Sequence, residues 1–342
     1  NSLRPWTTEQ EVQISQSMKN EEIKKHFGTL NIESEKDESV EQIALAQTDY
    51  DHMKVQGNYL NTMKYIKSLK ISKPENIIPY DGYPMLTTSY NRFLPIKLSV
   101  LMLAHMLESK KDSKIELKNI RVNGYDLLEE YGEMIAKYEK INGVKRQYKI
   151  STGLPKKINS GDKDKDIEMK IRIKDIQIGR TRISRKLGGN HFDGALSALG
   201  LVYAFEQDDK VFVSLSELGK EFVLRENPIF PKNDFSKGAL SEKESEFILK
   251  EIIPKRSLEN QIVKKILLTV KEQGPKLSIA ESKKNLKELE ANIHCEIIEY
   301  IKKNPVECAR FNISELKGDN TKIRGRIKQK RLAIMGRLVE LR

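Results

Sequence analysis

The chain has few of the residues that build metal centres and disulfide frameworks. Among its 342 residues, only Cys295 and Cys308 are cysteines and only five are histidines. Neither set has the spacing of a zinc site, and two distant cysteines do not make a disulfide framework. We therefore expect no metal and no cofactor. A reducing, intracellular setting fits best, in the cytoplasm and nucleoid or in the nucleus.

Long apolar runs are also missing. The longest one, residues 94–107, is interrupted by Lys97, whereas a membrane-spanning helix needs about 20 consecutive apolar residues. The chain has no glycine-rich phosphate loop and no serine nucleophile elbow. His294 and Cys295 are neighbours, so on a helix they would not face each other as a catalytic pair. We expect no membrane partner and no catalysis by this chain.

Two short patterns match the Glu-x-Lys element of metal-dependent nucleases by residue type. They are Glu116 with Lys118 and Glu168 with Lys170. Neither follows an aspartate on an apolar strand, and 32% of the chain is charged, so matches this short are expected by chance. The patterns do not change the expectation that the chain is not an enzyme.

Positive charge is what the chain has in excess. Lysine and arginine number 61 against 49 acidic residues, which gives a formal net charge of +12 and a pI near 9.3. Such a surplus favours polyanionic partners, nucleic acid above all. The chain is longer than one compact core usually organises, which indicates two or three domains.

Prolines, glycines and polar stretches suggest where these domains meet. Residues 1–75 form a helical N-terminal segment, and a proline cluster follows it. Residues 76–155 alternate helix, short extended piece, helix and strand, the last of these at 145–151. A polar, glycine-containing linker leads to residues 156–235, and residues 236–342 are mostly helical. In the last segment Ser241 and Glu244 predict a capping box.

The stretch Gly194–Val223 has the most informative order of predicted helices and strands. We predict a helix at Arg180–Leu187 and a second one capped by Asn190, with Phe192, Leu196 and Leu199 on one face. Two apolar strands follow around the polar turn EQDDK. Ser214 and Glu217 then form a capping box for the next helix.

This order resembles winged helix-turn-helix DNA-binding domains. The resemblance covers about sixty residues, Ile167–Glu226, and extends more faintly to 94–151 and 258–342, the last without a wing. It implies a helix in the DNA major groove and a hairpin against the backbone. The predicted fold is mainly α with short β-hairpin wings, arranged as tandem winged-helix modules.

Basic and polar side chains beside the predicted reader helices are the candidate DNA contacts. In the middle module, arginines and a lysine would bind phosphates while Asn190 and Ser197 reach base edges. A solvated helix face and simple capping by Asn190 are the alternatives. The last module carries a basic stripe opposite Leu338 and Leu341. The basic candidates are Arg180, Arg182, Arg185, Lys186, Lys322, Arg324, Arg326, Lys328, Lys330 and Arg331.

The sequence thus predicts binding of double-stranded DNA, sequence-specific or architectural. One alternative is the target-recognition region of a larger DNA enzyme, such as a restriction nuclease or replication initiator. The chain starts with Asn1 and its last pattern stops at Arg342 without a wing, so we expect it to belong to a longer polypeptide. The acidic turn at Asp208 and Asp209 favours another alternative, a winged-helix scaffold that binds a protein partner or a second copy of itself.

Overall fold

The computed structural model describes residues 58–79, 92–145, 149–155, 178–183, 190–230, 238–255 and 260–264, with isolated positions elsewhere. The described elements, in chain order, are α1 (58–68), α2 (Leu94–Lys110), β1 (Lys114–Glu116), α3 (Leu117–Ile141), β2 (Arg180–Ile183), β3 (Asn190–Asp193), α4 (Ala195–Ala198), β4 (Val202–Gln207), β5 (Lys210–Leu215), α5 (Glu217–Leu224) and α6 (Glu242–Phe247). Predictions for residues 1–57, 184–189 and 304–336 lie outside the described residues.

Helix α2 is central to the core. It packs against β1, α3, α4 and α5, and most of its residues are buried, on all sides of the helix. This burial explains why its sequence is apolar without a polar face. Pro95 lies in the first turn, as predicted, where a helix needs no backbone N–H from it.

The main sheet is antiparallel, with the strand order β1–β5–β4. Strands β4 and β5 form the predicted hairpin, and Asp208 and Asp209 turn the chain with φ of 51° and 57°. Strand β4 gains a further neighbour from the proline-rich segment, because the Ile78 N–H donates to the Ala204 carbonyl at 2.8 Å. The hairpin prediction is therefore confirmed.

The two segments predicted as separate winged-helix modules share this sheet. Strand β1 lies before residue 155 and its partner β5 lies after it, with Lys114 opposite Ser214. Ile66 from α1 and Phe247 from α6 are buried in the same core. Residues from all four predicted segments thus contribute to this core. The described residues combine helices with two small antiparallel sheets around one core.

The helix predicted at Arg180–Leu187 is wrong for its first residues. Strand β2 occupies Arg180–Ile183 and pairs with β3, so Asn190 begins a strand instead of capping a helix. Gly194 takes the N-cap position of α4. A Cβ at Gly194 would lie 2.5 Å from the Cα of Gly179, so the two backbones meet at a distance that only glycine permits.

The strand predicted at the end of the 76–155 segment is also corrected. Ile150 and Ser151 lie in a turn and Lys149 is not in a strand, while residues 146–148 of the predicted strand lie outside the described residues. The reason is the buried carboxylate of Glu139, which accepts the Ser151 N–H at 2.8 Å and the Ser151 hydroxyl at 2.6 Å. These charge-assisted hydrogen bonds hold the backbone in the turn.

One of the two predicted capping boxes is confirmed. The hydroxyl of Ser241 accepts the Glu244 N–H, and the Glu244 carboxylate accepts the Ser241 N–H at 2.8 Å. Helix α6 continues into a π-helical turn, Ile248–Ile252, and a short 3₁₀ turn, Ile253–Lys255. Before α5 the cap is Ser216 and not Ser214, which lies within β5.

A buried ion pair joins α2 to α6. The ammonium of Lys97 lies 2.9 Å from the Glu244 carboxylate, and both side chains are fully buried. Lys97 also donates to the carbonyls of Phe222 and Arg225, at 2.6 and 2.8 Å, at the C-terminal end of α5. Burial lowers the pKa of Lys97, whereas Glu244 opposes that shift. The Lys97 ammonium on α2 therefore contacts both α5 and α6.

Alkaline stability should depend on Tyr59 in α1. Burial, followed by the charges of Glu244 and Glu226, raises the pKa of Tyr59 from 10.0 to about 12. The folded state therefore holds this phenolic proton more tightly than the unfolded state, so its stabilising effect is complete below pH 10 and is lost as the pH rises towards 12. Between about pH 9 and about pH 11, the free energy of unfolding measured by urea denaturation should fall less for Tyr59→Phe than for the parent chain. An equal fall in the free energy of unfolding of both proteins would contradict a raised pKa of Tyr59.

Candidate nucleic-acid interface

The candidate contacts of the middle segment do not form a helix face. Arg180 is half-buried in β2 and pairs with Asp193 across the ladder, and Arg182 pairs with His191. Asn190 is the first residue of β3. Arg185 and Lys186 lie outside the described residues. The structure therefore places Arg180, Arg182 and Asn190 in one two-stranded sheet.

The predicted reader helix is short and buried. Helix α4 has four residues, all of them buried. The Ser197 hydroxyl donates to the Gly194 carbonyl at 3.1 Å, within the same turn. A side chain that is packed in the core and bonded to its own backbone does not reach a base edge, so Ser197 is removed from the candidate contacts.

The tip of the β4–β5 hairpin is exposed and acidic. Residues 206–210 are all exposed, and they include Glu206, Asp208 and Asp209 with Lys210 as the one cation. Like charge opposes the approach of this tip to a phosphate backbone. The tip of this hairpin therefore does not suit a polyanion.

The C-terminal basic candidates, Lys322 to Arg331, lie outside the described residues. Nearby, Leu338 and Leu341 are buried, as predicted for the packed side of that segment. The Phe93 N–H, at the start of α2, donates to the Glu340 carboxylate, and Arg92 Nε lies 3.8 Å from the same group. The positive end of the α2 dipole favours this carboxylate. The last residues therefore pack against the start of α2.

A group of lysines at the end of α1 was not predicted. Lys111 Nζ lies 5.2 Å from the centre of the Tyr65 ring, and Lys220 Nζ donates to the Leu69 carbonyl at 2.6 Å. Lys70 and Lys114 line a cleft between residues 70–76 and the main sheet. We call this region the lysine surface, and it comprises Lys64, Lys67, Lys70, Lys73, Lys111 and Lys114. All six side chains are exposed or partly exposed.

Acidic side chains only partly neutralise the lysine surface. Glu108 pairs with Lys111 at 2.6 Å, and Asp112 and Glu75 are exposed nearby. Glu206 lines the cleft with Lys70 and Lys114, so six cations against four carboxylates leave the region positive. The sequence indicates part of this surface, because residues 58–74 contain a lysine at every third position from 64 to 73 and no acidic residue.

Comparison with known proteins adds no functional assignment. No protein-family model, curated protein or solved structure matches this chain.

Neither nuclease-like pattern gains support from its position. Glu116 ends β1 and Lys118 lies in the first turn of α3, so the two residues do not lie on one strand. Glu168 lies outside the described residues. Within the ranges given above, no group of three or more His, Cys, Asp or Glu side chains could hold a metal ion.

A helix that spans a bilayer must be both long and apolar. In the part of the chain that the structure describes, no helix is both long enough and apolar enough to span a membrane. The apolar helix α2 is instead covered by its neighbours in the core.

Proposed function

We propose that the protein binds double-stranded DNA without catalysing a reaction on it. The observation that carries this proposal is the sheet order β1–β5–β4, in which a strand between two helices pairs with a later hairpin. Winged-helix domains have this arrangement, and many of them bind DNA. The net charge of +12 supports the same partner.

In this proposal the lysine surface contacts the phosphate backbone. Its members sit at the end of α1 and beside β1, so their ammonium groups can follow a negatively charged strand. Phosphate contacts supply affinity and position, and they do not require a particular base sequence. Arg180 and Arg182 in β2, and the C-terminal basic residues, remain further candidates.

The acidic hairpin tip limits how the duplex can lie. Asp208 and Asp209 would repel phosphates, so the DNA is expected to lie against the lysine surface with the tip pointing away from it. Because α4 is buried, base contacts from that helix are not part of the proposal. Binding through the described surfaces should therefore depend weakly on sequence.

Neutralising three lysines tests the proposal. The triple variant Lys64→Gln, Lys67→Gln and Lys73→Gln should bind a random duplex of about 30 base pairs several-fold more weakly at low salt than the parent chain. The slope of log affinity against log salt should fall by about 0.9 for each phosphate that the variant no longer neutralises. Fluorescence anisotropy with a labelled duplex, titrated at several salt concentrations, measures both quantities.

The matched control is Lys243→Gln, an exposed lysine on α6 outside the lysine surface. This variant should keep the parent affinity and slope. An unchanged slope in the triple variant would move the interface elsewhere on the chain. Absence of binding by the parent chain, even at low salt, would contradict DNA binding as a whole.

A protein-binding scaffold is the second candidate function. The exposed acidic tip of the hairpin and the buried position of α4 favour it, because both features reduce the surface that a DNA reader would use. A scaffold predicts partner binding that changes little with salt, in contrast to the steep dependence of a phosphate-binding surface.

A further inference from the structure

A cleft lies on the outer face of the main sheet, beneath the segment that follows α1. Its volume is about 340 Å³, and its walls come from residues 70–76, from the start of β1 and from strands β4 and β5. The cleft is of the size that proteins use for small ligands. Ser214 and Lys114, which line it, alternate along their strands with Val213 and Ile115, which are buried in the core.

Two cations in this cleft have no acidic partner. Lys70 and Lys114 both line it, and among the described residues neither ammonium pairs with a carboxylate. Lys114 Nζ instead donates to the Gln207 amide oxygen at 2.5 Å and lies 5.0 Å from the centre of the Phe212 ring. The nearest described partners of this ammonium are therefore neutral, although the carboxylates of Glu75 and Glu206 also line the cleft.

A buried hydroxyl in the same wall also lacks a partner. Ser214 is only 8% exposed, and its hydroxyl makes no hydrogen bond in the described structure. It lies in β5 directly opposite Lys114, so the two residues share one face of the sheet. A buried hydroxyl without a hydrogen-bond partner carries a free-energy cost. A ligand that accepts a hydrogen bond from this hydroxyl would remove that cost.

We propose that this cleft binds the phosphoryl group of a small phosphorylated molecule. Lys70 and Lys114 supply the positive charge, and the Ser214 hydroxyl, with the nearby hydroxyls of Ser72 and Ser113, supplies neutral donors. A nucleic-acid backbone offers the same chemistry. The small molecule is favoured because the cleft is closed on one side by residues 70–76, whereas a duplex needs an open surface. Lys70 and Lys114 also belong to the lysine surface, but the DNA-binding test changes Lys64, Lys67 and Lys73, so the two proposals can fail separately.

Calorimetric titration of the full chain with inorganic phosphate and with adenosine monophosphate tests the site, with adenosine as the comparison that lacks the charge. Both phosphates should bind and adenosine should not. Lys70→Gln and Lys114→Gln should each weaken binding about tenfold, the effect of losing one charged hydrogen bond. Glu75 and Glu206 also line the cleft, so Glu75→Gln should tighten binding by removing one of two negative charges that oppose the phosphate.

Lys243→Gln is the control and should bind phosphate as the parent chain does. Lys70 is exposed, so Lys70→Gln keeps the test decisive even if Lys114→Gln folds poorly. Failure of the parent chain to bind either phosphate, or equal binding by Lys70→Gln, would overturn the proposal. The proposal would also be overturned if Lys70→Gln and Lys114→Gln bound duplex DNA more weakly but bound both small phosphates as the parent chain does. The cleft would then bind the nucleic-acid backbone.

Discussion

Lys97→Ala is expected to lower the free energy of unfolding by about 3–5 kcal/mol, the cost of leaving one member of a buried ion pair without its partner. The substitution removes the cation that lies 2.9 Å from Glu244. It also removes the donor to the Phe222 and Arg225 carbonyls at the end of α5. Urea denaturation followed by circular dichroism measures the change.

Two comparisons isolate the buried charge as the cause. Lys250→Gln removes an exposed cation that lies 3.3 Å from Glu246, and it should cost less than about 1 kcal/mol. The double variant Lys97→Met with Glu244→Gln should be more stable than Lys97→Met alone, because no unpaired carboxylate stays in the core. If Lys97→Ala costs no more than Lys250→Gln, the ion pair is not buried in the folded protein.

Gly219→Ala is the second change with a large expected effect. In the middle of a helix, alanine normally stabilises a protein by about 1 kcal/mol relative to glycine. Here a Cβ would lie 1.9 Å from the Leu201 carbonyl oxygen. That oxygen is held in place because it accepts the Ser216 N–H at 3.0 Å. Helix α5 would have to move, so we expect a loss of about 3 kcal/mol or more.

Alanine in place of glycine stabilises most helices, so a loss of stability in Gly219→Ala would be specific to the close approach of Leu201. Glu221→Ala changes an exposed residue of the same helix and should alter stability by no more than about 0.5 kcal/mol. Thermal and urea unfolding of the two variants should therefore differ strongly. A more stable Gly219→Ala protein would show that α5 does not approach Leu201 as described.

Features that depend on neighbouring residues could be predicted from the sequence. The β4–β5 hairpin follows from two runs of valine and aromatic residues around a polar turn. The box of Ser241 and Glu244 joins residues three positions apart. Ser214 has a capping-box partner, Glu217, three residues on, whereas Ser216 has Gly219 at that position. Only the position of β5 shows that Ser216 is the cap.

Features that depend on distant partners could not be predicted. Arg180–Ile183 contains residues that a helix accepts, and it is a strand because Asn190–Asp193 pairs with it. The Phe192 N–H in turn donates to the Pro79 carbonyl at 2.8 Å. Lys97 interrupts an apolar run in the sequence, and nothing local indicates that Glu244 lies beside it. Tertiary contacts override local preference in each case.

The candidate interface shows the same division. The four lysines at every third position between 64 and 73 are visible in the sequence, but their association with Lys111 and Lys114 depends on how α1 packs. Ser197 has the right chemistry for a base contact, and only its burial removes it. The predicted acidic tip of the hairpin, in contrast, is exposed as its sequence indicates.

The pairing of β1 with β5 has a consequence for biosynthesis. The two strands lie about a hundred residues apart in the chain, so the sheet closes only after a long loop has been ordered. Contacts so distant in sequence slow folding. During translation β1 leaves the ribosome well before its partner exists, and at about 5–20 residues per second it waits several seconds with an unpaired edge. Chaperone binding to nascent chains of increasing length should therefore peak before residue 215 emerges.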